Sequence, residues 1–256
     1  MRIAGIALLI AGIAAIGYVV NAYWISASRT TDAQERLAAE LEAEQAAAID
    51  LIENPTVGAD WDEAEAASVT AGEPLTYDPT STSVVDTTEE YPLITQPAPE
   101  EGTALGRMLI PDISLDWVIV EGVRPEDLAQ GPGHMTWTAL PGQPGNTVIS
   151  GHRTTYGAPF YAIDELESGS RITIETVTGV HIYEVVDIIV VTPDGVWVTQ
   201  QTDGAWLTLT TCHPRGRAQE RLIVFARLVA GPNFEAINAM FDDPWQLPEQ
   251  PSTEDA

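Results

Sequence analysis

The stretch "TLTTCHPRGRAQERLIVFARLVA", Thr208 to Ala230, decides the architecture. Leu207 and Leu209 alternate with Thr208 and Thr210, the period-two pattern of a half-buried strand. A second, mainly apolar run begins at Arg221. Between them lie Pro214, Gly216 and two more arginines, a connection that ends one strand before the next begins. Cys212 therefore sits at the end of one strand and Arg221 at the start of the following one. Further strand patterns surround this pair. "GRMLIPDISLDWVIVEG" reads as two strands meeting at Pro111-Asp112, "NTVISGH" as a strand ending at Gly151-His152, and "SRITIET" as a strand with Ile172 and Ile174 on one face. "HIYEVVDIIVVTP" reads as a long or bent strand, while "RPEDLAQ" and "APFYAIDEL" read as short helices. Seven or eight short strands in about 125 residues predict an all-β domain, a sandwich or small barrel, over residues 105–231.

The flanks differ in character. Of the 256 residues, 38 are acidic and 11 basic, every base is arginine, and the formal charge is −27. Eighteen of the acids fall between residues 29 and 104, accompanied by two arginines. A basic footprint of the kind that holds a phosphate backbone is absent, which excludes nucleic acid as the expected partner. Residues 54–104 are acidic, rich in Pro, Ser and Thr, and without apolar periodicity, so they read as a disordered spacer. As a flexible coil of about 50 residues it would reach on the order of 40 Å. Residues 232–256 read as an acidic disordered tail.

Ile3 to Val20 is an uncharged apolar run, followed by Tyr23 and Trp24. A helix of that length spans about 27 Å, close to a hydrocarbon core. The apolar region of a cleaved signal peptide is shorter, about 7–15 residues. Residues 1–24 are thus expected to form an uncleaved single-pass membrane anchor, with the following domain extracytoplasmic. Residues 25–53 are expected to form a short stalk helix capped at Asp32.

The chemistry-bearing residues lie at strand boundaries. A thiol attacks as thiolate and needs a partner base or positive neighbours. Cys212, the only cysteine, precedes Arg215, Arg217 and Arg221; as a sole cysteine it forms no internal disulfide. The plain alternative is a buried cysteine acting as a small hydrophobe. His152 directly follows an apolar strand, where an imidazole can serve as acid and base. Arg221 is placed to donate to a developing oxyanion. His134 lies in the Gly/Pro-rich loop "GPGHMTWTALPGQPGN", where it can face a substrate; His181, at a strand start, reads as exposed. The chain holds no Cys-x-x-Cys and no closely spaced His pair, so no zinc site is expected. The order His, Cys, Arg differs from papain-like enzymes, whose cysteine precedes the histidine.

"TLTTC" at 208–212, Arg221 nine residues on, and "GPGHMTWTALPGQPGNTVISGHRTTYGAPF" together resemble a sortase, and in particular the class E sortases of actinobacteria. The resemblance runs from about Leu105 to Val229. It implies an eight-stranded sortase β-barrel with short helices, preceded by an N-terminal transmembrane helix. The implied catalytic set is His152, Cys212 and Arg221, with Thr211, His134 and Tyr156 as substrate-binding candidates. The implied reaction is cysteine transpeptidation: a surface protein's LAxTG- or LPxTG-like sorting signal is cleaved between Thr and Gly, and its acyl group passes to an amine of peptidoglycan precursor or pilin. No metal or organic cofactor is implied. Where class E members typically carry tyrosine after the "GPGH" histidine, this chain has Met135. In class C sortases an Asp-Pro-aromatic lid covers the site, which makes Asp243-Pro244-Trp245 one candidate cover here. The alternative to an enzyme is a non-catalytic cell-surface binding module on the same barrel.

Overall fold

Alternation along the strands builds a closed barrel. Its strands are β1 Ala104–Ile110, β2 Leu115–Glu121, β3 Gly133–His134, β4 Gly145–Ser150, β5 Arg171–Thr176, β6 Gly179–Val191, β7 Ala205–His213 and β8 Glu220–Ala230. The computed structural model describes residues 2–53 and 92–247, with the side chains of 2–10, 19–25 and 49–53 outside that description. The strand order is β1-β2-β3-β4-β7-β8-β6-β5, closed by β5 against β1. β2–β3 and β4–β7 pair parallel, and the other neighbours pair antiparallel. Closure leaves little free edge among the described strands. Ile172, Ile174, Leu207, Leu209, Val224 and Ala226 fill the interior.

Two elements differ from the sequence reading. "APFYAIDEL" forms turns and a single 3-10 turn, Ile163–Glu165, rather than a helix. Tyr156, Gly157 and Ala158 all adopt positive φ (51°, 72° and 51°), and Pro159 follows, so a right-handed helix cannot start there. Part of the Gly/Pro loop is strand: β3 supplies only two residues, yet it bridges β2 to β4.

The first helix, α1, runs unbroken over Arg2–Glu53, so the expected division between an anchor and a stalk capped at Asp32 is not seen. No Gly or Pro interrupts residues 18–53. Thr30 and Thr31 bond back to the carbonyls of Ser26 and Ala27, which lets hydroxyl residues sit inside the helix. Thr30, Gln34, Leu37 and Leu41, spaced 4-3-4, form the face that docks on the barrel. Leu37 and Leu41 are buried against Ala104, Val118 and Val120. Because β3 is so short, Val118 of β2, paired with Arg107 of β1 on one side, has no strand on its other side, and the Gln34 amide stands in for one. Gln34 Nε2 donates to the Val118 carbonyl (3.0 Å), and Gln34 Oε1 accepts from the Val118 N–H (2.8 Å). Among the described residues no helix is long and apolar enough to cross a membrane. More than half of the apolar run Ile3–Val20 lies where side chains fall outside the description.

The flanks are more structured than their composition suggests. Residues 54–91 of the expected spacer lie outside the described residues, but residues 92–103 lie along the barrel. Ile94 donates its N–H to Asn233 Oδ1 (2.8 Å) and accepts from Asn233 Nδ2 (2.9 Å). The expected disordered tail carries a second structured piece. Asn233 and Ile237 are fully buried, and Phe234–Met240 is helical. Trp245 packs on Trp206 (6.4 Å between ring centroids) and Phe234 (6.2 Å). Trp206 is six residues before Cys212 along β7, about 20 Å away, so Asp243-Pro244-Trp245 closes the far end of the barrel and does not cover Cys212. His181, read as exposed, is fully buried with its Nε2 on Thr176 and Thr178 (3.1 Å each). Burial lowers its pKa to about 4.

Candidate active site

Parallel pairing of β4 with β7 brings two distant residues to the same barrel end. Ser150 is opposite Thr210, so His152 and Cys212 both lie two residues beyond that last pair. Both side chains line one cavity of about 210 Å³, together with Arg153, Thr154, Thr155 and the 216–218 segment of the β7–β8 connection. Across the antiparallel β7–β8 ladder, Cys212 is directly opposite Arg221, which puts the two side chains on the same face. Arg221 lines a second cavity of about 170 Å³, floored by Ser150, Thr210 and Ile223 and walled by Val191–Thr199. The cysteine–arginine pair thus stands between two cavities. Cys212 is half-buried and unpaired.

The backbone around His152 is fixed on both sides. The Gly151 N–H donates to the Thr210 carbonyl (3.1 Å), and the Phe160 N–H donates to the His152 carbonyl (3.1 Å). The Gly151 carbonyl accepts from Thr211 Oγ1 (2.7 Å). Thr211 is buried and points to the face opposite Cys212, so its hydroxyl is committed to the histidine loop in place of the expected substrate contact. A Cβ on Gly151 would lie 2.5 Å from the Phe160 ring, so only glycine lets that ring seat here. The Tyr156 ring packs on the His152 ring with centroids 4.8 Å apart and is not among the residues lining the Cys212 cavity. Burial holds the His152 imidazole below its ordinary pKa, favouring the neutral base.

Arg221 is steadied by its own loop, Nη1 donating to the carbonyls of Ala218 (3.2 Å) and Glu220 (3.0 Å). That arrangement leaves Nε and Nη2 able to serve an anion. His134 is not at this site. It is buried in β3, with Nδ1 2.8 Å from Glu121 Oε2 and Nε2 3.0 Å from the Ala139 carbonyl. Thr138 Oγ1 also lies 3.1 Å from Nε2; with both ring nitrogens engaged inside the barrel, the expected substrate role gives way to a structural one. Among the described residues no group of three or more His, Cys, Asp or Glu is arranged to hold a metal ion.

Sequence reasoning missed Arg153, Asp164 and Asn146. Arg153 directly follows His152 and is buried 2.8 Å from Asp164. Asn146 donates from Nδ2 to the carbonyls of Val198 (3.0 Å) and Gln200 (3.1 Å), holding the segment that walls the second cavity. Adjacency in "GHR" was the only available signal for Arg153; no local signal marks Asp164 or Asn146. A thiol, a neutral imidazole and a guanidinium around two cavities can form, stabilise and resolve an acyl intermediate.

The Sortase domain family matches residues 108–229. Sortase D of Bacillus subtilis (strain 168) is 36% identical over 135 residues, covering 51% of this chain and 67% of that protein. Sortase SrtE1 of Streptomyces coelicolor is 33% identical over 146 residues, covering 51% of this chain and 42% of that protein. Among solved structures, the SrtF sortase from Corynebacterium diphtheriae is similar with a TM-score of 0.50 and 30% identity, covering 54% of this chain and 90% of that one.

Proposed function

Because the chain belongs to the sortase family, we propose that it is a membrane-anchored cysteine transpeptidase acting on a C-terminal LAxTG- or LPxTG-like sorting signal. The observation that carries this reading is the meeting of Cys212 and His152 in one cavity, with Arg221 opposite Cys212 and lining the next. The signal peptide lies in the cavity walled by Val191–Thr199, with its Thr carbonyl carbon at Cys212 Sγ. His152 takes the thiol proton and passes it to the departing glycine amine, leaving a thioester. Arg221 donates to the oxyanion formed in between. An amine of peptidoglycan precursor or a pilin attacks the thioester; C–N forms, C–S breaks, and His152 accepts the amine proton.

Ile3–Val20 anchors the chain as a single pass, with the barrel extracytoplasmic. The anchor and the docked face belong to one helix, and Val20 and Thr30 are ten residues apart, about 15 Å along it. The barrel therefore sits close to the membrane surface, and the acidic segment does not set its reach.

The reading is tested with the full chain in detergent, an LAxTG peptide and a diamine. The expected result is a protein mass increased by the acyl fragment in the absence of amine, and peptide–amine product in its presence. An intact peptide and an unmodified protein across pH 6–9 would favour the non-catalytic binding module. The pH profile provides a second check. Below its pKa His152 binds a proton and can no longer serve as the base. Since burial lowers that pKa from 6.5, the acid limb of kcat/KM is expected to have its midpoint below pH 6.5. A midpoint above 6.5 would contradict this assignment.

A further inference from the structure

We propose that Asp164 is a positioning residue that closes the amine-acceptor side of the site by tying its two walls together. The inference rests on the transpeptidase reading above. One wall is the loop after β4, which carries His152 and Arg153; the other is the β7–β8 connection, which carries Arg215 and the 216–218 segment lining the cavity. Asp164 joins them. Its Oδ2 is 2.8 Å from Arg153 Nη2, and its Oδ1 is 2.6 Å from Arg215 Nη2. Tyr161 adds two more links, its carbonyl accepting from Arg153 Nε (2.9 Å) and its ring lying 4.3 Å from the Arg215 guanidinium. Glu165 gives Arg215 a second carboxylate at 3.1 Å.

The position of this clamp assigns its role. The second cavity, on the Arg221 side, is walled by Val191–Thr199 and shares no residue with the clamp. A peptide bound there is indifferent to it. The leaving amine and the incoming amine must use the other cavity, whose walls the clamp holds. In the second half-reaction two nucleophiles compete for the thioester carbon. An amine gives amide and returns the thiol; water gives a carboxylic acid and returns the thiol. A fixed cavity favours the oriented amine, and a loosened one admits water without orienting the amine. Displacements of about 1 Å are enough to change such rates by up to about 10²-fold.

The test compares Asp164→Asn, Arg215→Gln and the double variant, as full chains with an LAxTG peptide and a diamine. The readout is the ratio of transfer product to hydrolysis product, measured beside the rate of acyl-enzyme formation. Each single variant is expected to lower the ratio about tenfold and raise the KM for the amine, with a much smaller fall in acylation. The double variant is expected to fall short of the product of the two single effects, because both substitutions remove the shared Asp164–Arg215 link. Asp164→Glu, which keeps the charge, is expected to recover most of the ratio. Asp164→Asn strips the buried Arg153 of its counter-charge and can fail to fold; Arg215→Gln, at an exposed position, tests the clamp independently. An unchanged ratio in Arg215→Gln, or multiplying effects in the double variant, overturns the proposal. If the wild-type protein forms no acyl-enzyme, the transpeptidase reading falls and the clamp's role with it; if it does and the variants partition normally, only the clamp is refuted.

Discussion

Replacing Cys212 by alanine is expected to abolish acyl-enzyme formation and reduce peptide turnover by at least about 10⁴-fold, to the background of the uncatalysed reaction. The size of the effect follows from the role. In the proposed mechanism the thiol sulfur bonds to the acyl carbon, and no second cysteine or lysine is present to replace it. Loss of fold is not the expected cause. Cys212 is half-buried at the end of β7, outside the interior cluster built from Leu207, Leu209 and their neighbours. Trimming Sγ there should change stability by no more than about 1 kcal/mol. The comparison is therefore turnover against thermal unfolding in the same preparation. Because Cys212 is the sole thiol, alkylation by iodoacetamide reports on it alone, and its rate should fall when His152 is changed to glutamine. Equal turnover in wild-type protein and Cys212→Ala would remove the cysteine from the mechanism.

The second large effect is expected at Arg221. Arg221→Lys keeps the charge but loses the fork that rests on the Ala218 and Glu220 carbonyls while presenting further donors. Loss of one preorganised oxyanion donor costs about 10²–10³-fold in kcat. The peptide KM should move far less, because the oxyanion exists only in the transition state and the tetrahedral intermediate. Alkylation of Cys212 by a small reagent, which passes through no oxyanion, should keep its rate. The contrary pattern, a raised KM with kcat preserved, would mean that Arg221 only positions the peptide.

The docking of α1 bears on how these measurements are made. A soluble piece starting at Ala104 would lose Leu37 and Leu41 from the surface of β1 and β2, the Gln34 amide from Val118, and Ile94 from Asn233. Each removal uncovers apolar surface or leaves a backbone group without its partner. The full chain is the appropriate object for kinetics.

Much of the barrel was legible because strand periodicity is a local property. Ile172/Ile174 and Leu207/Leu209 announce their faces within a few residues, and both pairs are interior. The strand-end positions of His152, Cys212 and Arg221 were legible for the same reason. The misreadings have a common origin in contacts distant along the chain. Composition made residues 232–247 look like tail, but Asn233 finds Ile94, 139 residues away, and Trp245 finds Trp206. Local pattern made His181 look exposed and His134 look available, whereas closure of the barrel buried both. Thr211 looked substrate-facing because it adjoins Cys212, but alternation turns it to the opposite face, where it holds the Gly151 carbonyl.

The sequence by itself determined every strand but β3, the strand-end placement of a thiol, an imidazole and a guanidinium, and the family they resemble. Only the tertiary structure decided which residues share a cavity, that α1 docks directly on β2, and that Asp164 bridges Arg153 and Arg215. The division is physical. Periodicity and turn chemistry act within a few residues, whereas the pairing of β4 with β7 and the meeting of Arg215 with Asp164, 51 residues apart, arise only when the chain closes on itself.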